Sequence, residues 1–105
     1  MIQIMFDRNQ DKKFVKWAKQ VKKRDNFTCQ ICSKGNVYLN SHHMNSWDTF
    51  VEERYNLNNG ITLCQEDHER FHSIYGKGHN TKHQFEEFKN TIELLKKIAR
   101  NNVKL

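Results

Sequence analysis

No proline occurs anywhere in this chain, and there is no internal repeat or low-complexity tract. Proline- or glycine-rich linkers between domains are therefore not expected, nor is a second domain. Cysteine is scarce: three residues, an odd number and a poor basis for a disulfide framework. Long apolar runs are missing too. The stretch Met1 to Phe6 is interrupted by Gln3 and stops at Asp7-Arg8, too short for a secretory core. Nothing later approaches a membrane span. The expectation is a protein of the reducing cytoplasm, where paired cysteines are first read as metal ligands. Apolar residues are only 36% of the 105, and the mean hydropathy is −0.95. A chain of this size buries roughly 65% of its unfolded surface, so a metal or a partner subunit is expected to support so thin a core.

What the chain has is basic charge, unevenly placed. The net charge is +6, and residues 1–34 hold all of the surplus, while residues 35–105 balance. Lys12, Lys13, Lys16, Lys19, Lys22, Lys23 and Arg24 carry it. A basic surface of this kind suits a polyanion, because neutralised phosphates release condensed counterions; the alternative is a solvated helix face that serves solubility. Asp11 is placed to cap a helix running to about Arg24, with Phe14, Trp17, Ala18 and Val21 as its apolar stripe. Val37 to Met44 reads as a strand, and Asn45 to Tyr55 as a loop or short helix packed on the core through Trp47, Phe50 and Val51. Asn58-Asn59-Gly60 is a turn signal ahead of the strand Ile61-Thr62-Leu63. Gln65 to about Tyr75 fits a helix ended by Gly76 to Gly78, and a last helix opens at Thr81 with Phe85, Phe88, Ile92, Leu95 and Ala99 on one face. The expected order is helix, strand, strand, helix, helix. One domain over 1–105 follows, with a core at about 24–76, a basic helix at about 11–24 and a C-terminal helix at about 81–101. Trp17, Trp47, Phe85 and Phe88 are assigned to the core, and the C-terminal stripe doubles as a candidate partner surface.

Two sets of residues carry chemistry. Cys29-x-x-Cys32 presents two thiolates from one turn, the spacing that lets both reach one zinc ion. Cys64, with either Asp67 or His68, completes a four-ligand set. The six histidines all lie between His42 and His83. His68 and His72, four apart on a helix, share a face and can share a metal. His42 and His43, adjacent on a strand, point to opposite sides of it, so one can bind the ion while the other takes a proton. That division suits phosphodiester hydrolysis. His79 and His83 are read as surface residues. Lys16, Lys19, Lys22, Lys23 and Lys77 are the candidate phosphate contacts, which position a duplex without reading its bases.

The run Arg24-Asp-Asn-Phe-Thr-Cys-Gln-Ile-Cys32, then Ser41-His42-His43, Asn58-Asn59-Gly60-Ile-Thr-Leu-Cys64 and His68-Glu-Arg-Phe-His72, resembles the zinc-containing HNH endonucleases, many of them phage-encoded. Tyr75-Gly76, Asn80-Thr81 and Gln84 to Phe88 follow the same pattern, so the likeness spans roughly residues 17 to 90. The resemblance implies an α+β fold, a small ββα-metal (His-Me finger) domain with flanking helices and a structural zinc. It implies a metal-dependent DNA endonuclease that nicks or breaks both strands. Carried over by position, His43 is the general base, His42, His72 and His68 hold a divalent ion (Mg²⁺ or Mn²⁺, alternatively Zn²⁺ or Ni²⁺), and Asn59 holds the base's loop. Asn58 competes for that last role, but the residue directly before Gly60 fits the spacing better. One departure stands out: Asp67 occupies the position of the family's usual fourth cysteine. Three alternatives follow: Asp67 ligates the zinc with Cys29, Cys32 and Cys64, or His68 turns to it, or zinc is weak or absent. The implied partner is DNA, with a phage packaging protein or a second copy of the chain as further candidates, no membrane, and a host-cytoplasm location if phage-encoded. The rival reading is a catalytically silent zinc module that binds DNA or a packaging protein.

Overall fold

The computed structural model describes residues 7–103, with the side chain of Val103 excepted; the apolar run Met1 to Phe6 lies outside the described residues. A single 3-10 turn, Arg8–Gln10, leads into helix α1 (Lys12–Arg24); strands β1 (Leu39–His43) and β2 (Gly60–Cys64) follow, then helices α2 (Gln65–Tyr75) and α3 (Lys82–Val103). Two further 3-10 turns, Val51–Glu53 and Leu57–Asn59, lie between the strands. The chain is thus a small α+β protein with a two-stranded antiparallel sheet and three helices, the arrangement that the ββα-metal fold requires.

Helix α1 starts where the sequence directs. Asp11 Oδ1 accepts from the backbone N–H groups of Lys13 and Phe14, satisfying two donors that a helix start leaves unpaired. Lys22, Lys23 and Arg24 occupy the last turn, where the helix dipole favours cations. The chain then leaves through Asn26 and Phe27, both in the left-handed region at φ of 55° and 51°. Helix α2 is capped by Cys64, whose Sγ accepts from Asp67 N, with Glu66 and Asp67 in the first turn.

The strand register places His43 opposite Gly60, His42 opposite Ile61 and Ser41 opposite Thr62. Alternation then separates two faces. One face carries His43, Ser41 and Gly60 and is covered by α1 through Trp17 and Val21, both buried. Ser41 Oγ donates to Ala18 O at 2.6 Å. The other face meets α2 and α3, where Leu63, Met44, Phe71, Phe85 and Phe88 form the main core. Gly60 is required where it stands: a Cβ there would lie 2.4 Å from Val21 Cγ2 and 2.6 Å from Trp17 Cζ2. The outer edge of β2 is closed as well, since Thr62 N donates to Asp25 Oδ2 and Gln30 N donates to Thr62 O. Arg24 ties the end of α1 to the turn before β2, donating to Leu57 O and Gly60 O at 2.7 Å each.

Three sequence expectations shift. The first strand begins at Leu39 rather than Val37, and Val37 and Tyr38 are exposed. Val51 is exposed instead of packed on the core, and Trp47 is half-buried in a separate aromatic group with Phe14, His43 and Tyr55. The stripe on α3 packs through Phe85, Phe88 and Ile92, but Leu95 and Ala99 are exposed, because α3 runs on past the body that Phe71 anchors. Among the described residues no helix is long and apolar enough to cross a membrane.

Candidate active site and metal centres

The antiparallel pairing and the four-residue spacing on α2 bring three histidines together. One ring nitrogen each from His42, His68 and His72 lies within 4.8 Å of the other two. His68 Nε2 and His72 Nε2 are 3.1 Å apart. His72 Nδ1 is 3.0 Å from Gly76 O, so Nδ1 carries the proton and Nε2 presents its lone pair to the cluster. His42 is buried between Phe71 and Phe85, and its Nε2 has no hydrogen-bond partner. An orphaned acceptor of that kind costs about 1–3 kcal/mol unless something fills the place. Burial pushes the His42 pKa well below the ordinary histidine value, reinforced by His68 and His72. The same two causes, burial and then His72, take His68 down to about 4. Both rings are therefore neutral at pH 7, the form that ligates a cation.

His43 points the other way from the strand and is differently held. Its ring stacks on Trp17 at 3.8 Å between centroids with 9° between planes. Trp17 is itself fixed, donating Nε1–H to Asn56 O at 2.9 Å. His43 Nε2 donates to Arg54 O at 2.8 Å, which leaves Nδ1 as the basic nitrogen. Burial lowers its pKa to about 4; the Arg54 carbonyl opposes the shift, and the charges of Arg8 and Arg54 add to it. Asn59, buried, braces the loop that supplies this carbonyl. Its Oδ1 accepts from Asn45 N at 2.8 Å, and its Nδ2 donates to Asn45 O at 2.8 Å and Glu53 O at 3.3 Å. Asn58, by contrast, is exposed, and its backbone N–H donates to Oδ1 of Asn56, the residue that caps the turn.

The second cluster lies at the other end of the strands. Cys29, Cys32, Cys64 and Asp67 each offer one ligand atom within 4.8 Å of the rest. Asp67 Oδ2 is 3.3 Å from Cys29 Sγ and 3.2 Å from Cys64 Sγ, and Cys32 Sγ is 3.6 Å from Cys64 Sγ. Arg70 Nη1 holds Asp67 Oδ1 at 2.8 Å, so the second carboxylate oxygen faces the sulfurs. Burial resists ionisation of Asp67, but the three thiols and Arg70 outweigh it and keep the carboxyl below its usual range. Burial drives the Cys64 thiol up to about 12 and raises Cys32 also. Thiols so placed stay protonated unless a cation takes the proton's place. Both groups of residues can hold a metal ion, and His68 sits with the histidines while Asp67 sits with the sulfurs.

Both strand histidines open on one cleft of about 670 Å³, whose lining includes Arg8, Phe14, Trp47, His68 and His72. Lys16, Lys19 and Lys23 are exposed on α1, Lys22 is half-buried, and Lys77 is exposed after α2. His79 and His83 are exposed, with His79 Nδ1 2.9 Å from Thr49 Oγ1. Neither the Trp17 stack nor the place of Arg8 is legible in the sequence. The helix period marks Trp17 as apolar and inward-facing but does not say that a histidine waits there; Arg8 precedes the cap of α1 and belongs to no motif.

Two comparisons, with curated proteins and with solved structures, find no match to the chain. A third does: residues 29–73, the segment that supplies both metal-type clusters, His43 and Asn59, match the family model for HNH endonuclease. Over that segment the chain is similar to the HNH endonuclease family, a family of nucleases.

Proposed function

We propose that the chain is a single-domain, metal-dependent DNA endonuclease of the cytoplasm that hydrolyses phosphodiester bonds by nicking or double-strand cleavage. The observation that carries the reading is the buried, unpartnered Nε2 of His42, converging with His68 and His72 while His43 beside it keeps a free nitrogen. In this reading His42, His68 and His72 hold a divalent cation, Mg²⁺ or Mn²⁺. When bound, such an ion supplies Lewis-acid chemistry, polarising the phosphate and stabilising the departing oxygen. His43 takes the proton of the attacking water at Nδ1. The water oxygen bonds to phosphorus, the bond from phosphorus to the leaving sugar oxygen breaks, and that oxygen is protonated by solvent. Asn59 and the Arg54 carbonyl keep the imidazole in the tautomer that presents Nδ1, and Trp17 keeps its plane.

Cys29, Cys32, Cys64 and Asp67 hold a structural zinc in the same reading. A tetrahedral ion at about 2.3 Å from sulfur and about 2.1 Å from oxygen sets ligand atoms about 3.5–3.8 Å apart. The observed separations of 3.2 to 3.6 Å are close to those edges. Lys16, Lys19, Lys22, Lys23 and Lys77 contribute to DNA attraction, which makes cutting salt-dependent. The test is supercoiled plasmid with purified protein and each divalent ion in turn, with and without chelator. His43→Ala is expected to lose about 10²–10⁴-fold in nicking rate. Nicking at the wild-type rate in that variant would remove His43 as the base.

A further inference from the structure

The rim of the cleft holds a cation that nothing in the HNH segment accounts for. Arg8 lies outside residues 29–73, in the 3-10 turn ahead of α1, and lines the same cleft as His42, His43, His68 and His72. Its guanidinium carbon sits 5.3 Å from the Trp47 ring centroid and 5.7 Å from that of Phe14. Arg54 rests on the same indole, at 4.4 Å, and spends its Nε on Trp47 O. Two guanidiniums are thus seated on one tryptophan, each close enough for Arg54 to act on the charge of Arg8. Among the described residues neither arginine has a carboxylate within ion-pair distance. Asp48, the acid whose field reaches Arg8, already accepts from Ser46 Oγ, Thr49 Oγ1 and the backbone of His79. Arg8 shares the cleft lining with His43 and His68, near enough for its charge to be felt at both.

Like charges held together without a counterion are unfavourable in the free protein and become favourable when an anion arrives. A planar guanidinium with its stem fixed against aromatic rings presents its fork of N–H donors without further ordering, the geometry that matches two oxygens of one phosphate. We propose that Arg8 is a catalytic residue of this nuclease, binding the non-bridging oxygens of the scissile phosphodiester and stabilising the charge they gain as water attacks. Arg54 is the fixed cation behind it. The N-terminal turn thereby completes an active site whose other parts come from the HNH segment. This rests on the nuclease reading above.

Single-turnover nicking of supercoiled plasmid by the full chain with Mn²⁺ tests it, comparing wild type, Arg8→Lys and Arg8→Ala. Inorganic phosphate serves as the inhibitor probe, and calorimetric titration of Mn²⁺ follows the histidine site. Arg8→Ala is expected to lose about 10²–10³-fold in the cutting step, with a much smaller change in KM. Arg8→Lys is expected to fall between, keeping charge but losing the fork. Inhibition by phosphate should weaken by about tenfold or more in Arg8→Ala, while Mn²⁺ affinity and melting temperature stay at wild-type values. An unchanged cutting step in Arg8→Ala overturns the proposal while wild-type cutting leaves the nuclease reading in place. A loss confined to KM, or one accompanied by loss of Mn²⁺ binding, also overturns it. Wild type that cuts with no ion overturns both.

Discussion

The two ligand clusters share the same pair of strands and the same helix, yet they are built to opposite ends. The sulfur cluster has four candidate ligands, three of them buried, with the carboxylate's second oxygen tied to Arg70 and no opening onto the cleft. The histidine cluster has three candidate ligands and faces the cleft, with a further histidine beside it that is kept out of the set. A closed four-ligand site is the pattern of a structural ion; a three-ligand site with an open position is the pattern of a catalytic one. Adjacent positions on α2 divide the work: Asp67 turns to the sulfurs and His68 to the histidines, as a 100° step around a helix allows.

The comparison breaks if loss of the open cluster unfolds the protein or loss of the closed one leaves it intact. The largest expected effect is on activity: His72→Ala should abolish nicking, by about 10³-fold or more, while the melting curve stays near wild type. Next comes the closed cluster. Cys29→Ser should lower stability by several kcal/mol, of order 3–5, seen as a much lower melting midpoint and a loss of bound zinc in elemental analysis. Asp67 sharpens the contrast further. Asp67→Cys should keep or tighten zinc, whereas Asp67→Ala should weaken it by about 10–100-fold in competition with a chelator. The smallest effect belongs to the outer edge of β2, away from both clusters' ligands. Asp25 accepts from Arg24 and from Thr62 N, and these bonds overcome burial to keep its carboxyl below the usual range. A depressed folded-state pKa gives stability that is present above the unfolded value near 4 and lost as pH falls through the folded one. Asp25→Asn should therefore cost about 1–2 kcal/mol at pH 7 and flatten the acid limb of a urea-melting series. An unchanged acid limb would show that Asp25 is not the group responsible.

Much of this was legible in the sequence because short-range rules governed it. Asp11 as a cap, Gly76 as the end of α2 and the opposite facing of His42 and His43 all follow from local geometry. The four-residue spacing of His68 and His72 did likewise. The parts that escaped depend on contacts far apart in sequence. Nothing local tells that Trp17 stacks on a residue 26 positions later, or that Arg8 reaches Trp47. The periodic stripe of α3 overstated its burial for a related reason: periodicity gives the direction of a face but not the length of the body beneath it. Leu94, Leu95 and Ile98 remain exposed on a helix that outlasts its support.

Gly60 has a consequence for how this motif can travel between proteins. The missing side chain opposite His43 is a slot cut to the shape of Trp17 and Val21. An excised 29–73 segment would carry an empty slot and an imidazole with nothing at its back. On the proposed function, the smallest portable cassette therefore begins no later than the turn at Arg8, well upstream of the residues that match the family.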